Sequence, residues 1–345
     1  MKRLTALLVV IQMTIVISNA QTSQRTPRPI VFDTDTPFVH DPVIAFENGT
    51  YYAFYTGQNI GYMTSKNRKT WTVHRDGVLR NIPEWTHDSV PGFKRHIWAP
   101  DIIQWNGRWW LAYSCSTFGK NTSAIGLLSA TSLEQGDWKD EGCLVSSQGK
   151  RDNWNAIDPN FIEDEQGNLW LSWGSFWDGI QLAPLAMKCT EGGEQSLRLL
   201  DYPRTIARRY YKNALQGLVN PTSKYAGSNA IEAPFMMKHG GYYYLFVSWD
   251  YCCRGMESNY RVVVGRSKTV SGPYIDKEGV PMYAGGGSPV IEGDKIDFEA
   301  IGHNAAYSFP DGDIFISHGY SVKHNGQSIL VQRNIKWIDG WPVLE

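Results

Sequence analysis

Hydrophobic and polar positions along this chain alternate in short runs and never settle into a long helical period. Runs such as Tyr51-Tyr52-Ala53-Phe54, Trp109-Trp110-Leu111 and Tyr242-Tyr243-Tyr244-Leu245 are aromatic-rich and follow Gly turns, which marks them as strands. One unit recurs five times: an acidic or His residue beside Pro or Asn, an apolar strand, a Gly turn, then an aromatic-rich strand. The copies begin at Asp41-Pro42, Pro100-Asp101, Asp158-Pro159, Glu232-Ala233-Pro234 and His303-Asn304. Lead residues 41, 101, 158, 232 and 303 are 60, 57, 74 and 71 residues apart, so each interval has room for four strands. Asn48-Gly49, Asn106-Gly107 and Asp311-Gly312 are hairpin signals within the repeat.

Five four-stranded repeats without helices predict an all-β fold, a five-bladed propeller of antiparallel blades around a central channel. Radial repetition is a way of managing exposed sheet edges, and a two-layer sandwich would not need five matching units. The first strand of each blade then lines the channel. Asp41, Asp101, Asp158, Glu232 and His303 are thereby brought towards one end of a single axis.

Ahead of the repeats, residues 1–20 read as a secretory signal: basic Lys2 and Arg3, an apolar run from Leu4 to Ile17, then Ser18-Asn19-Ala20 before Gln21. The apolar run is short for a membrane span and no second one follows. We therefore expect export to the periplasm or beyond after cleavage near Ala20, no membrane span, and residues 21–345 as one propeller domain. Of the 345 residues, 42% are hydrophobic and 19% charged, which excludes a disordered chain. Lys plus Arg (33) nearly balance Asp plus Glu (34), and loss of Lys2 and Arg3 leaves the mature chain near −3. Without a basic stripe, nucleic acid is not an expected partner. Cys115, Cys143, Cys189, Cys252 and Cys253 are odd in number and irregular in spacing, so they predict neither a disulfide framework nor a zinc site. Buried thiols are expected for most of them, since adjacent Cys252 and Cys253 could close only a strained ring.

Carboxylates far apart in sequence but facing one funnel suit glycoside hydrolysis, where one carboxyl protonates the leaving oxygen and another acts from the opposite face of the sugar. A separation of about 6.5–9.5 Å leaves room for a water and predicts inversion. Each Asp-Pro alone is ordinary turn chemistry. The set gains meaning from Trp98, Trp154, Trp177 and Trp249, whose faces suit the apolar faces of sugar rings.

Across residues 31–345 the chain resembles the arabinanases and arabinofuranosidases of glycoside hydrolase family 43, which are five-bladed propellers. The resemblance is carried by Val39-His40-Asp41-Pro42, Trp98-Ala99-Pro100-Asp101, Asn121-Thr122-Ser123-Ala124-Ile125-Gly126, Trp154-Asn155-Ala156-Ile157-Asp158-Pro159, Gly174-Ser175-Phe176-Trp177, Ile231-Glu232-Ala233-Pro234, Cys252-Cys253-Arg254-Gly255 and Gly302-His303-Asn304. Several of these runs are typical of the α-1,5-arabinanase branch. The resemblance implies that Asp41 is a general base, Glu232 the general acid, and Asp158 the group that orients the acid and tunes its pKa. It implies that Trp98 and Phe118 stack on arabinose, with His40, Asp101, Asn155, Ser175 and Trp177 completing the substrate-binding set. It also implies that His303 is the axial ligand of a calcium ion held largely through waters. The expected partner is plant cell-wall arabinan or its oligosaccharides, and the expected state is a monomer.

Three features depart from the family pattern: His318-Gly319-Tyr320-Ser321 in the last blade, Trp249 before Asp250, and a long insert from Gly192 to Ser228 that is basic around Arg204, Arg208 and Arg209. Such an insert at a propeller mouth can block one end of a groove, which leaves endo and exo action both open. Two other readings stay open at this point: a β-xylosidase or side-chain arabinofuranosidase with the same carboxylates, and a carbohydrate-binding propeller without turnover.

Overall fold

A computed structural model describes the chain at residues 29–189, 195–209 and 229–345; the expected signal segment and its cleavage position lie outside the described residues. Five antiparallel sheets follow one another along the chain. Blade I comprises Val43–Glu47, Thr50–Tyr55, Gly61–Ser65 and Trp71–His74, with Ile30–Phe32 added outside. Blade II comprises His96–Trp105, Arg108–Cys115, Ser123–Ala130 and Lys139–Ser147, and Gly57–Gln58 pairs with its first strand. Blade III runs Asn160–Glu163, Leu169–Trp173 and Ile180–Cys189, whose far edge is shared by Gln195–Leu199 and Arg204–Ala207. Blade IV is Ile231–His239, Tyr242–Trp249, Arg261–Ser267 and Ser288–Glu292; blade V is Phe298–Phe309, Gly312–Ser321, Gln327–Ile338 and Trp341–Leu344. Three blades thus carry a strand beyond the four expected. The one α-helix among the described residues is the short Trp85–Ser89.

The first strands of the five blades pack against one another in a ring. That ring is closed by the chain's early residues: Phe38 bridges Ile329, and Leu330 N–H donates to Pro37 C=O at 2.9 Å. Between blades lie aromatic layers, with Trp71, Trp110 and Trp173 fully buried; burying each such side chain is worth roughly 2–3 kcal/mol or more by area.

A local device repeats where each inner strand begins. Asp41, Ala99, Asp158, Ala233 and His303 all have left-handed backbone, with φ between 39° and 56°, a region that costs an L-residue about 1–2 kcal/mol. The register slips just after, between Trp98 and Asp101, Glu232 and Phe235, and Gly302 and Ala305. A bulge of this kind re-aims side chains. Each left-handed amide is caught by a side chain of the preceding blade. Thr56 Oγ1 accepts from Ala99 (2.8 Å), Ser114 Oγ from Asp158 (3.0 Å), Asp158 Oδ2 from Ala233 (3.2 Å), Ser248 Oγ from His303 (2.8 Å), and His318 Nδ1 from Asp41 (3.1 Å).

Two expectations are corrected here. Asp101 is not the blade II equivalent of Asp41; Ala99 is, and Asp101 lies two residues further along its strand. Buried thiols are not the state of most of the cysteines: adjacent Cys252 and Cys253, on the loop after Trp249, are joined by a disulfide. Of the other three, only Cys115 is buried.

Candidate active site

A cavity of about 660 Å3 opens where the inner strands begin, and all five blades line it. Asp41, Asp158, Glu232 and His303 come together there, with His40, Trp98, Phe118, Asn155, Ser175 and Trp177 around them. Phe118 is largely exposed at the rim. Ser175 and Trp177 sit on a turn of blade III, where Phe176 and Trp177 are both left-handed and Gly174 is held against Gly179 C=O. Asn155 accepts from Ser123 Oγ at 2.6 Å, which fixes its amide.

Asp101 does not reach the cavity. Its carboxylate turns inward to accept from the amide of Phe161 (2.6 Å) and from Asn160 Nδ2 (3.2 Å). Burial pushes its pKa up to about 7 against those hydrogen bonds. It therefore joins blades II and III and is not a sugar-binding group. Trp154 and Trp249 are likewise structural: Trp154 packs edge-on to Trp173, and Trp249 is buried beneath the Arg209 guanidinium at 3.9 Å. The described part of the insert leaves the cavity walls free. Arg208 is held by Asp178 at 2.8 Å, and Arg209 lies 3.4 Å from Asp250.

Asp41 is buried, which by itself would raise its pKa. His303 and His40 outweigh burial and hold the carboxyl well below its ordinary value. Both rings approach Oδ1 through Nδ1, His40 at 2.9 Å and His303 at 3.0 Å, while Oδ2 accepts from Thr56 Oγ1. Asp41 is thus an ionised carboxylate, ready to take a proton from water.

Glu232 and Asp158 are in the opposite condition. Burial raises Glu232, and the hydroxyls of Ser175 (2.7 Å to Oε2) and Tyr260 (2.8 Å to Oε1) only partly pull it back. Asp158 is raised well above its ordinary value by burial and then by the charges of Glu232 and Asp41, against the attraction of His303. Two buried carboxyls that repel each other retain a proton that an exposed carboxyl would have lost. One cavity therefore holds an ionised base and a pair of carboxyls that share a proton, the division of labour that acid–base cleavage requires.

His303 is raised to about 9: burial opposes its charge, but Asp41, Asp158 and Glu232 together prevail. Its Nδ1 is engaged by Asp41. Among the described residues, buried Asp101 Oδ1 and Asn304 Oδ1, from blades II and V, have no hydrogen-bond partner. A hard cation prefers oxygen donors of this kind, and His303 would have to give up its own proton to act as a ligand beside them. Among the described residues, His40, Asp41 and His318 also bring ligand-type atoms together, but they are already hydrogen-bonded among themselves and are a poorer candidate.

Thr56 and Tyr260 escaped the sequence reading, and His318 and Tyr320 stood out there only as a departure from the family pattern, without a role. Thr56 and His318 occupy the catching position where Ser114 and Ser248 stand in blades II and IV, so aligning the second strands of the repeat would have found them. Tyr260 had no such signal. Its ring packs against Gly302, whose missing side chain makes the space.

A family model described as glycosyl hydrolases family 43 matches residues 34–342. The extracellular exo-α-(1→5)-L-arabinofuranosidase ArbA of Cellvibrio japonicus is 42% identical over 312 residues, 89% of this chain and 86% of that one. The extracellular endo-α-(1→5)-L-arabinanase 1 of Bacillus subtilis is 38% identical over 308 residues, 88% and 87% of the two chains. Among solved structures, an exo-1,5-α-L-arabinanase from a bovine ruminal metagenomic library superposes with a TM-score of 0.81 at 50% identity, covering 91% of this chain and 99% of that one. With the family's match running across all five blades, the chain belongs to glycosyl hydrolase family 43.

Proposed function

We propose that this glycoside hydrolase cleaves α-1,5-linked L-arabinofuranosyl bonds in arabinan and its oligosaccharides, with inversion at the anomeric carbon. The observation that carries the reading is the pairing, in one cavity, of an Asp41 carboxylate kept ionised by two histidines with a buried Glu232 carboxyl whose hold on its proton burial strengthens. Asp41 takes a proton from the attacking water as Glu232 gives one to the departing sugar oxygen. Repulsion between Asp158 and Glu232 keeps a proton on the pair for Glu232 to donate. Trp98, Trp177 and the exposed ring of Phe118 offer faces for furanose rings. Relatives on both the endo and exo side share this scaffold, and the names of two of them support action outside the cell, for which the pattern of residues 1–20 would supply the export signal. A calcium ion held by His303 largely through waters would supply positive charge beside the carboxylates.

The test is sugar release from debranched linear arabinan, resolved by chain length and followed by NMR from the first turnover. A single short product from the start indicates exo action, and a falling ladder of oligomers indicates endo action. Retained anomeric configuration in the first product overturns the mechanism, and dominant activity on aryl β-xyloside overturns the substrate.

A further inference from the structure

Two features that the hydrolytic chemistry leaves unused meet in one place: the adjacent cysteines of blade IV and the His318-Gly319-Tyr320 run of blade V. The Cys252–Cys253 disulfide lies on the loop after Trp249 and lines the cavity. Bonding neighbouring residues closes a small ring around one peptide, which removes most of that segment's rotational freedom. Cys253 stands in the left-handed region, φ 66°, and its N–H donates to Tyr320 Oη at 2.7 Å. The same buried hydroxyl is 3.1 Å from His40 Nε2 and 3.2 Å from His318 Nε2. The other nitrogens of those two rings hold Asp41: His40 Nδ1 lies 2.9 Å from Oδ1, and His318 Nδ1 accepts the Asp41 amide at 3.1 Å.

One arrangement of protons satisfies the whole chain. His318 Nδ1 accepts from Asp41 N–H, so in this neutral, deeply buried ring the proton sits on Nε2 and is donated to Tyr320 Oη. That oxygen also receives Cys253 N–H, which directs its own proton to His40 Nε2. His40 then carries its hydrogen on Nδ1 and donates it to the Asp41 carboxylate. Every donor has an acceptor, and reversing any one bond breaks the rest.

We propose that the Cys252–Cys253 disulfide and Tyr320 form a strap that positions the general base, with Tyr320 a positioning residue acting through His40 and His318. The inference rests on the assignment of Asp41 as base made above. It differs from a simple staple because it predicts loss in the base's step and not in folding. It differs from a sugar contact because it predicts loss in kcat and not in KM.

The experiment compares Tyr320→Phe, the double substitution Cys252→Ser with Cys253→Ser, and all three changes together, on linear arabinan and on p-nitrophenyl α-L-arabinofuranoside. Tyr320→Phe is expected to lower kcat about 10-fold, and up to roughly 100-fold, with KM within about twofold and the melting temperature close to that of the parent. The loss is equal on both substrates, since a good leaving group relieves the acid and not the base. Losses from the strap are non-additive: removing the disulfide in the Tyr320→Phe background costs little more. Should the cysteine variant fold poorly, phosphine reduction of the parent enzyme provides the same comparison. A second readout needs no turnover. In protein with 15N-labelled histidine, the His318 Nε2 proton is slow to exchange in the parent and becomes fast in Tyr320→Phe and in the reduced protein. Unchanged kcat in Tyr320→Phe, additive losses, a loss confined to KM, or unaltered ring-proton signals each overturn the strap. A parent enzyme that hydrolyses neither substrate defeats the functional reading instead, and the ring-proton signals still decide the strap.

Discussion

Removing the Tyr260 hydroxyl and removing the Asp158 charge should move the same pH limit in opposite directions. Tyr260 is buried and donates to Glu232 Oε1 at 2.8 Å, and its ring fills the space beside Gly302. Tyr260→Phe keeps the ring and deletes only the donor. A hydrogen bond to a charged group contributes about 1.5–3 kcal/mol, and one pKa unit corresponds to about 1.4 kcal/mol. Because the bond favours ionised Glu232, its loss raises the pKa of the acid by about one unit or more. Asp158→Asn works the other way. The charges of Asp158 and Glu232 repel, and an uncharged neighbour lets Glu232 ionise at lower pH. Cleavage requires protonated Glu232, so the alkaline limb of kcat/KM should rise by about one unit in Tyr260→Phe and fall in Asp158→Asn. The assay is kcat/KM against pH on unactivated arabino-oligosaccharides, because an aryl leaving group would hide the acid's contribution. Limbs that move in the same direction, or an alkaline limb that stays fixed in both variants, would refute the assignment of Glu232 as acid.

Asp41→Ala and Glu232→Ala should each lose at least the roughly 10²–10⁴-fold supplied by a general base or acid; an aryl arabinoside should partly restore Glu232→Ala and leave Asp41→Ala inactive, and the reverse pattern would exchange their roles. If His303 carries a calcium ion, exhaustive chelation should lower activity or the melting temperature and added calcium should restore it; unchanged activity and melting with no metal by elemental analysis would exclude the ion.

The strands were legible because their signals are local. An aromatic run after a turn glycine reads as a hairpin wherever it stands, and five such hairpins at similar spacing leave few folds to choose from. Asp41 and Asp158 were legible for a related reason, since each begins an inner strand beside Pro. Asp101 misled because residue type and backbone conformation fall out of step in blade II. The carboxylate lies two positions beyond left-handed Ala99, and the bulge between them sends it inward to Phe161. The additional blade strands and the Cys252–Cys253 bond depend on how loops fold back, which strand periodicity does not record.

The supporting residues were hidden for a deeper reason, and it bears on how such a site is built. A left-handed lead residue needs a partner for its amide, and in this ring the partner always belongs to the blade before. For Asp158, Ala233 and His303 that partner is 44, 75 and 55 residues away. For Asp41 the preceding blade is the last one, so its amide reaches His318 across 277 residues. The base therefore stands at the seam where the two ends of the propeller meet, next to the bridge between Phe38 and Ile329 that closes the ring. Until blade V has formed and the seam is shut, His303, His318 and Tyr320 are not in place and Asp41 is an ordinary exposed carboxylate. Closure of the fold, which buries the base, and delivery of the histidines that keep it ionised once buried are thus one event.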